Sequence, residues 1–266
     1  MFTHLTPVSS TTSSSPPLPS PRAQLHGRAR AHGIFWEGPS PIDGAPIVAI
    51  VTSGTSNAKT GPMAQVWVIR ADQSPVDAVR SGDDKSICGT CPHRNARGGF
   101  TGRSCYVRVH NAPMSVWEAY RRGRYKVVVP EAFERQGIRW GAYGDPALLP
   151  EGLVKACNEV ARFWTGYTHL HRQQWAQWAR GVFMASVESG PQETEARARG
   201  WGTFRVGRRD GSDHGSAVAC SNEATGMSCS ECKLYDGAER AIVVSAHGPQ
   251  AGFVPAERLT ARKRAG

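Results

Sequence analysis

Residues 139–168 read RWGAYGDPALLPEGLVKACNEVARFWTGYT. A short run rich in aromatic residues opens this stretch, Arg139-Trp-Gly-Ala-Tyr143, and another closes it, Phe163-Trp-Thr-Gly-Tyr-Thr168. Between them an amphipathic helix is expected over 151–162. Strand, helix, strand is the βα unit, and the pattern continues outward. Further β-like runs are Val182-Phe-Met-Ala-Ser-Val187, Gly202-Thr-Phe-Arg-Val206, Ala217-Val-Ala-Cys220 and Ala241-Ile-Val-Val-Ser245, with helical candidates at 172–180 and 192–199. Repeats of about 20 residues suit successive βα units better than an antiparallel sandwich. The expected fold is therefore α/β, a complete or partial (β/α) barrel with mainly parallel strands; an open doubly wound sheet is the alternative. A β hairpin precedes it, formed by Ile47-Val-Ala-Ile-Val-Thr52 and Gln65-Val-Trp-Val-Ile69.

Six of the seven cysteines form two sets: Cys88, Cys91 and Cys105, then Cys220, Cys229 and Cys232. Each set contains a Cys-x-x-Cys pair, which lets two thiolates point into one turn and share a metal or cluster. These two Cys-rich loops are read as metal sites. Neither set has a fourth cysteine. A zinc site would recruit His93, His110 or His214 or join both sets, whereas an iron–sulfur cubane held by three cysteines leaves one iron open. Disulfides are the competing reading, disfavoured because no apolar signal segment precedes the domain. The remaining cysteine, Cys157, falls inside the 151–162 helix, where it reads as a small core residue.

Residues 1–33 are rich in Ser and Pro, with no acidic residue before Glu37, and read as a disordered leader. One α/β domain is expected over 34–254, followed by a basic tail at 255–266. The formal charge of +10 comes from 32 Lys and Arg against 22 Asp and Glu. Such an excess can favour nucleic acid, with Arg121, Arg122 and Arg124 as the local concentration. Those arginines also suit the C-terminus of a helix whose core face is Val116, Trp117, Ala119 and Tyr120. No stretch approaches the roughly 20 apolar residues of a membrane span. A cytoplasmic protein with no membrane partner is expected.

Active groups of a (β/α) barrel gather at the C-terminal ends of its strands. Here those ends carry Tyr143 and Asp145, Tyr167, His169 and His171, Ser186 and Glu188, Arg205, Cys220, and Ser245 and His247. Asp145, His169, Glu188 and His247 are the catalytic candidates. Tyr143, Asp145, Tyr167, Ser186, Arg205 and Ser245 are the candidates for binding a small-molecule or nucleotide ligand, with the aromatic rings suited to stacking on a base. Neither a P-loop nor a Gly-x-Gly-x-x-Gly turn is present.

Several segments carry a resemblance: Ser86-Ile-Cys-Gly-Thr-Cys-Pro-His-Arg94, Ser104-Cys-Tyr-Val107, Arg139 to Pro146, Trp164 to Thr168, Met184-Ala-Ser-Val187 and Gly200-Trp-Gly-Thr-Phe-Arg-Val206. Together they resemble an uncharacterised family of bacterial, phage and plasmid proteins over about residues 85–250, which implies no established activity. More distantly the chain is similar to radical S-adenosylmethionine barrels. That similarity implies a cubane on the first cysteine set and a ligand-binding turn at Gly144-Asp-Pro146. The spacing departs from theirs, because thirteen residues separate Cys91 from Cys105 and the usual Cys-x-x-x-Cys-x-x-Cys loop is absent. The leading expectation is an iron–sulfur barrel enzyme that binds S-adenosylmethionine or a nucleotide. Two alternatives stand beside it: a zinc-stabilised nucleic-acid-associated protein of a phage or plasmid, and a divalent-metal hydrolase or nuclease using Asp145, His169, Glu188 and His247 as ligands.

Overall fold

A computed structural model describes residues 31–53, 57–208, 212–232 and 240–246. Residues 1–30, the basic tail and His247 lie outside the described residues. Ala31 is fully buried, and β1 starts at Gly33.

The first sheet contains β1 (Gly33–Pro39), β2 (Pro46–Thr52), β3 (Ala64–Arg70), β4 (Gly137–Tyr143) and β5 (Phe163–Thr165), in that order. β2 runs antiparallel to its neighbours β1 and β3, while β4 and β5 continue in parallel with β3. The expected hairpin is β2 paired with β3, with Ala49 facing Val68 and Ile50 facing Trp67. Its near-continuous apolar runs, rather than an alternation, follow from burial on both faces of the sheet.

The second sheet is wholly parallel: β6 (Tyr167–Thr168), β7 (Met184–Val187), β8 (Thr203–Gly207), β9 (Val218–Ala219) and β10 (Ala241–Ser245). Gly166 alone separates β5 from β6, so one run of chain serves both sheets. The molecule is thus mixed α/β with mostly parallel strands. Among the described residues no strand pairing closes the sheets into a ring.

The order of the second sheet departs from simple succession, because β10 inserts between β8 and β9. Burial explains the inversion. Ala241, Ile242, Val243 and Val244 are all buried and need neighbours on both sides, whereas β9 has only two residues, both exposed, and suits an edge.

Helices fill the connections: α1 (Pro75–Ser81), α2 (Lys85–Cys88), α3 (Ala112–Arg121), α4 (Glu151–Val160), α5 (Gly190–Ala198), α6 (Ser221–Thr225) and α7 (Cys229–Cys232). Ser74 caps α1 by accepting from the Asp77 N–H, and Gly82 ends it in the left-handed region. α4 buries Val154, Cys157 and Asn158, positions three and four apart on one face. Its fit to β4 is specified by a buried hydrogen bond of 2.9 Å from Trp140 Nε1 to Asn158 Oδ1. The helix expected over 172–180 is instead a 3-10 turn at Gln174–Ala179, bounded by extended residues at Gln173 and Arg180. In α3, Val116 is buried and Trp117 and Tyr120 pack on the core. Arg121 lies over the Trp117 ring, and Arg122 pairs with Glu118. No helix among the described residues is long and apolar enough to cross a membrane.

Candidate functional site

The first cysteine set is assembled from a helix end and a returning loop. Cys88 ends α2, and the Cys91 N–H donates to the Cys88 carbonyl at 3.0 Å, forming the tight turn that the pair needs. The thirteen residues between Cys91 and Cys105 double back. The N–H groups of Ser104 and Cys105 both donate to the His93 carbonyl, at 3.1 and 2.9 Å, which returns the third cysteine to the first two. Arg94 pins the excursion by donating to the buried Asp84 carboxylate, with Nη2 at 2.7 Å. Burial pushes the Cys88 thiol well above its ordinary pKa, with Cys91 adding to the effect; burial also raises Cys105, opposed by Arg103. A bound cation would reverse this balance in favour of thiolates.

β4 and β6 are clipped to this set. The Asp145 N–H donates to the Ile87 carbonyl at 2.7 Å, while the Asp145 carboxylate accepts from the Ala147 N–H at 3.0 Å and from the His169 N–H at 2.8 Å. Burial raises the Asp145 pKa despite these donors. The turn before it requires Gly144: φ is +79°, and a Cβ there would collide with the Val68 carbonyl oxygen.

His169 then joins Cys91 to Glu188. Its Nε2 lies 3.9 Å from Cys91 Sγ and 3.1 Å from Glu188 Oε1. The other carboxylate oxygen, Glu188 Oε2, lies 3.2 Å from His93 Nε2, and His93 Nδ1 is 3.0 Å from Ser104 Oγ. Burial opposes a charged His169 ring, but the neighbouring Cys91 and Glu188 outweigh it and hold the pKa well above the usual value. Burial likewise opposes the Glu188 carboxylate, and His169 and His93 overcome it, placing the pKa well below the carboxylate range. These two imidazoles and one carboxylate form a set able to hold a metal ion.

The second cysteine set follows β9. Cys220 precedes α6, and its N–H donates to the Val243 carbonyl at 2.8 Å; Cys229 and Cys232 are the two ends of α7. Cys232 Sγ donates to Ser221 Oγ at 3.2 Å. Burial raises the Cys229 thiol pKa, opposed by Arg139.

Both sets open onto one cavity of about 340 Å³, reached by Cys88, Cys91 and Cys105 from one loop and by Cys220 and Cys229 from the other. Its other walls include the predicted Tyr143, Gly144, Asp145, Tyr167, His169, Ser186 and Ser245. Tyr167 stacks on Phe204 with ring centroids 4.1 Å apart, placing an aromatic pair on the wall. Arg139, Phe204, Val206 and His93 are lining residues absent from the expected ligand-binding set. Alternation along β8 was the available signal for Phe204 and Val206. They face the cavity, whereas Arg205 between them is buried away from it, bound to Glu193 at 3.2 Å and Asp213 at 3.0 Å. Glu188 instead lines a neighbouring cavity of about 300 Å³ with His169, His171, Arg172, Ser186 and Gln192.

No protein-family model, curated protein or solved structure matches this chain.

Proposed function

We propose that the chain is an iron–sulfur enzyme built on an incomplete (β/α) barrel, with both cysteine sets holding clusters around a cavity for an adenosyl or nucleotide ligand. The observation that carries this reading is that both cysteine sets reach the same cavity, the first through Cys88, Cys91 and Cys105 and the second through Cys220 and Cys229. The donor chemistry fits, because each set supplies three thiols, the first from a tight turn and a returning loop and the second from the start of α6 and the two ends of α7, and burial raises the thiol pKa of Cys88, Cys105 and Cys229. A cubane bound this way supplies electron transfer and an iron that a ligand can coordinate.

The chain's own residues divide the remaining work. Tyr167 and Phe204 provide a flat apolar face for a base. Arg139, at the wall near Cys229 and Tyr167, offers a guanidinium to a carboxylate or phosphate. Asp145 caps the turn that follows it, at Pro146–Leu148, and holds the His169 main chain beside it. The cavity volume is in the range of small-molecule sites.

The reading is tested on protein purified without oxygen, by measuring iron, acid-labile sulfide and the visible spectrum. About four iron and four sulfide per cysteine set, with absorption near roughly 400 nm, are expected. Adding S-adenosylmethionine should then perturb the electron paramagnetic resonance signal of the reduced protein. Stoichiometric zinc in place of iron would overturn the reading and favour structural metals.

A further inference from the structure

Glu188 stands just beyond the end of β7, held there by its own N–H, which donates to Gln192 Oε1 at 3.0 Å. Its carboxylate reaches two imidazoles at once, one oxygen to each Nε2, at 3.1 and 3.2 Å. The donor atoms of His93, His169 and Glu188 all lie within 4.8 Å of one another. Around a divalent ion with ligand bonds of about 2.1 Å, adjacent donors are separated by about 3.0–3.4 Å. The two His–Glu distances match that spacing.

We propose that His93, His169 and Glu188 form a mononuclear site for a divalent transition-metal ion, zinc or ferrous iron in chemistry, distinct from the thiolate sets. Two further observations point to a ligand. Ser104 Oγ partners the second ring nitrogen of His93, the outer contact by which a metal-binding imidazole is oriented. In addition, the set lies where two cavities meet: the larger touches His93 and His169, and the smaller touches His169 and Glu188. An ion there has a route in and open positions for an exogenous ligand, as two imidazoles and one carboxylate leave coordination unfilled. Cys91 borders the site, with its Sγ 3.9 Å from His169 Nε2, but belongs to its own turn with Cys88. The proposal does not depend on iron in the cysteine sets.

The test is a Co²⁺ titration of oxygen-free protein after removal of loosely held metal, read by ligand-field absorption and metal counting. Wild type should take up one equivalent more than Glu188→Gln, and the difference spectrum between the two should lack thiolate-to-cobalt charge transfer. Glu188→Gln and His93→Asn should each lose that equivalent while keeping iron, sulfide and far-ultraviolet circular dichroism unchanged. Ser104→Ala, which removes only the outer partner of His93, should bind Co²⁺ at least about ten-fold more weakly. A Cys220→Ser/Cys229→Ser double variant should retain the equivalent, so failure of the iron–sulfur reading and failure of this site give different results. Unchanged Co²⁺ uptake in both Glu188→Gln and His93→Asn, or a difference spectrum between wild type and Glu188→Gln dominated by thiolate charge transfer, would overturn the proposal.

Discussion

The main-chain N–H of Cys229 donates to the carbonyl of Lys59 at 2.9 Å, fastening the second cysteine loop to the connection between β2 and β3. The next rung is Ser230 N–H to the Thr60 carbonyl at 3.2 Å. Gly61 sits against this contact at φ +70°, where a Cβ would collide with Ser230 Oγ. Gly61→Ala is predicted to loosen both segments together, costing about 1 kcal/mol or more. Hydrogen exchange should accelerate at both 57–61 and 228–232. Acceleration at 57–61 alone would separate the two loops.

The Trp140–Asn158 hydrogen bond couples β4 to α4 inside the core. Asn158→Ala would leave the buried indole N–H without its acceptor, at a predicted cost of about 1–3 kcal/mol. Urea unfolding should show a lower midpoint with an unchanged slope. A neutral result would mean that the helix shifts to satisfy the indole by other means.

Cys157 is fully buried on α4, and burial pushes its thiol up to about 12, with Glu131 adding to the rise. Between the ordinary thiol value of 9.0 and about 12, the folded state keeps a proton that the unfolded chain gives up. Stability from this group is therefore complete below 9.0 and is lost as pH rises toward about 12. Cys157→Ala should flatten that alkaline slope by up to one proton, measured as the difference in unfolding free energy across the window. In the native protein at neutral pH, Cys157 should also resist alkylation until the chain is unfolded. An equal slope in the variant would assign the alkaline loss to other groups.

Stacking of Tyr167 on Phe204 gives the ligand proposal a direct handle. Phe204→Ala should weaken binding of S-adenosylmethionine by about ten-fold or more, corresponding to about 1–3 kcal/mol for a stacked base. Calorimetry on protein with its metal content matched to wild type would read this. Equal affinity would remove the aromatic wall from ligand recognition.

Much of the parallel architecture was legible because the relevant strands are β-branched or aromatic runs between turn residues. β4, β7, β8 and β10 all fall within or overlap such runs. β1 was not legible: Gly33-Ile-Phe-Trp-Glu-Gly-Pro39 contains two glycines and a proline that read as punctuation, and its strand character comes from pairing with β2. The inversion of β9 and β10 was also hidden, because pairing order depends on which run must be covered on both sides. In the site, the cysteines were visible from spacing alone. The link between His93 and Glu188 was not, because the loop return at Ser104 and the end of β7 bring together residues that share no local motif. His93 itself followed the Cys-x-x-Cys pair closely enough to be named as a recruit, but its carboxylate partner was set by the tertiary fold.

Because β10 separates β8 from β9, the chain emits β9 before the surface that β9 will join exists. The short edge must wait for a later segment to dock, so a nascent chain that has not yet produced Ala241–Ser245 has no seat for Cys220, whose N–H is held by Val243. Anchoring of Cys220 is thereby timed to the docking of β10 in that sheet. An edge strand placed in this way cannot form before its inner neighbour, and the topology itself acts as a checkpoint on the order in which the sheet is built.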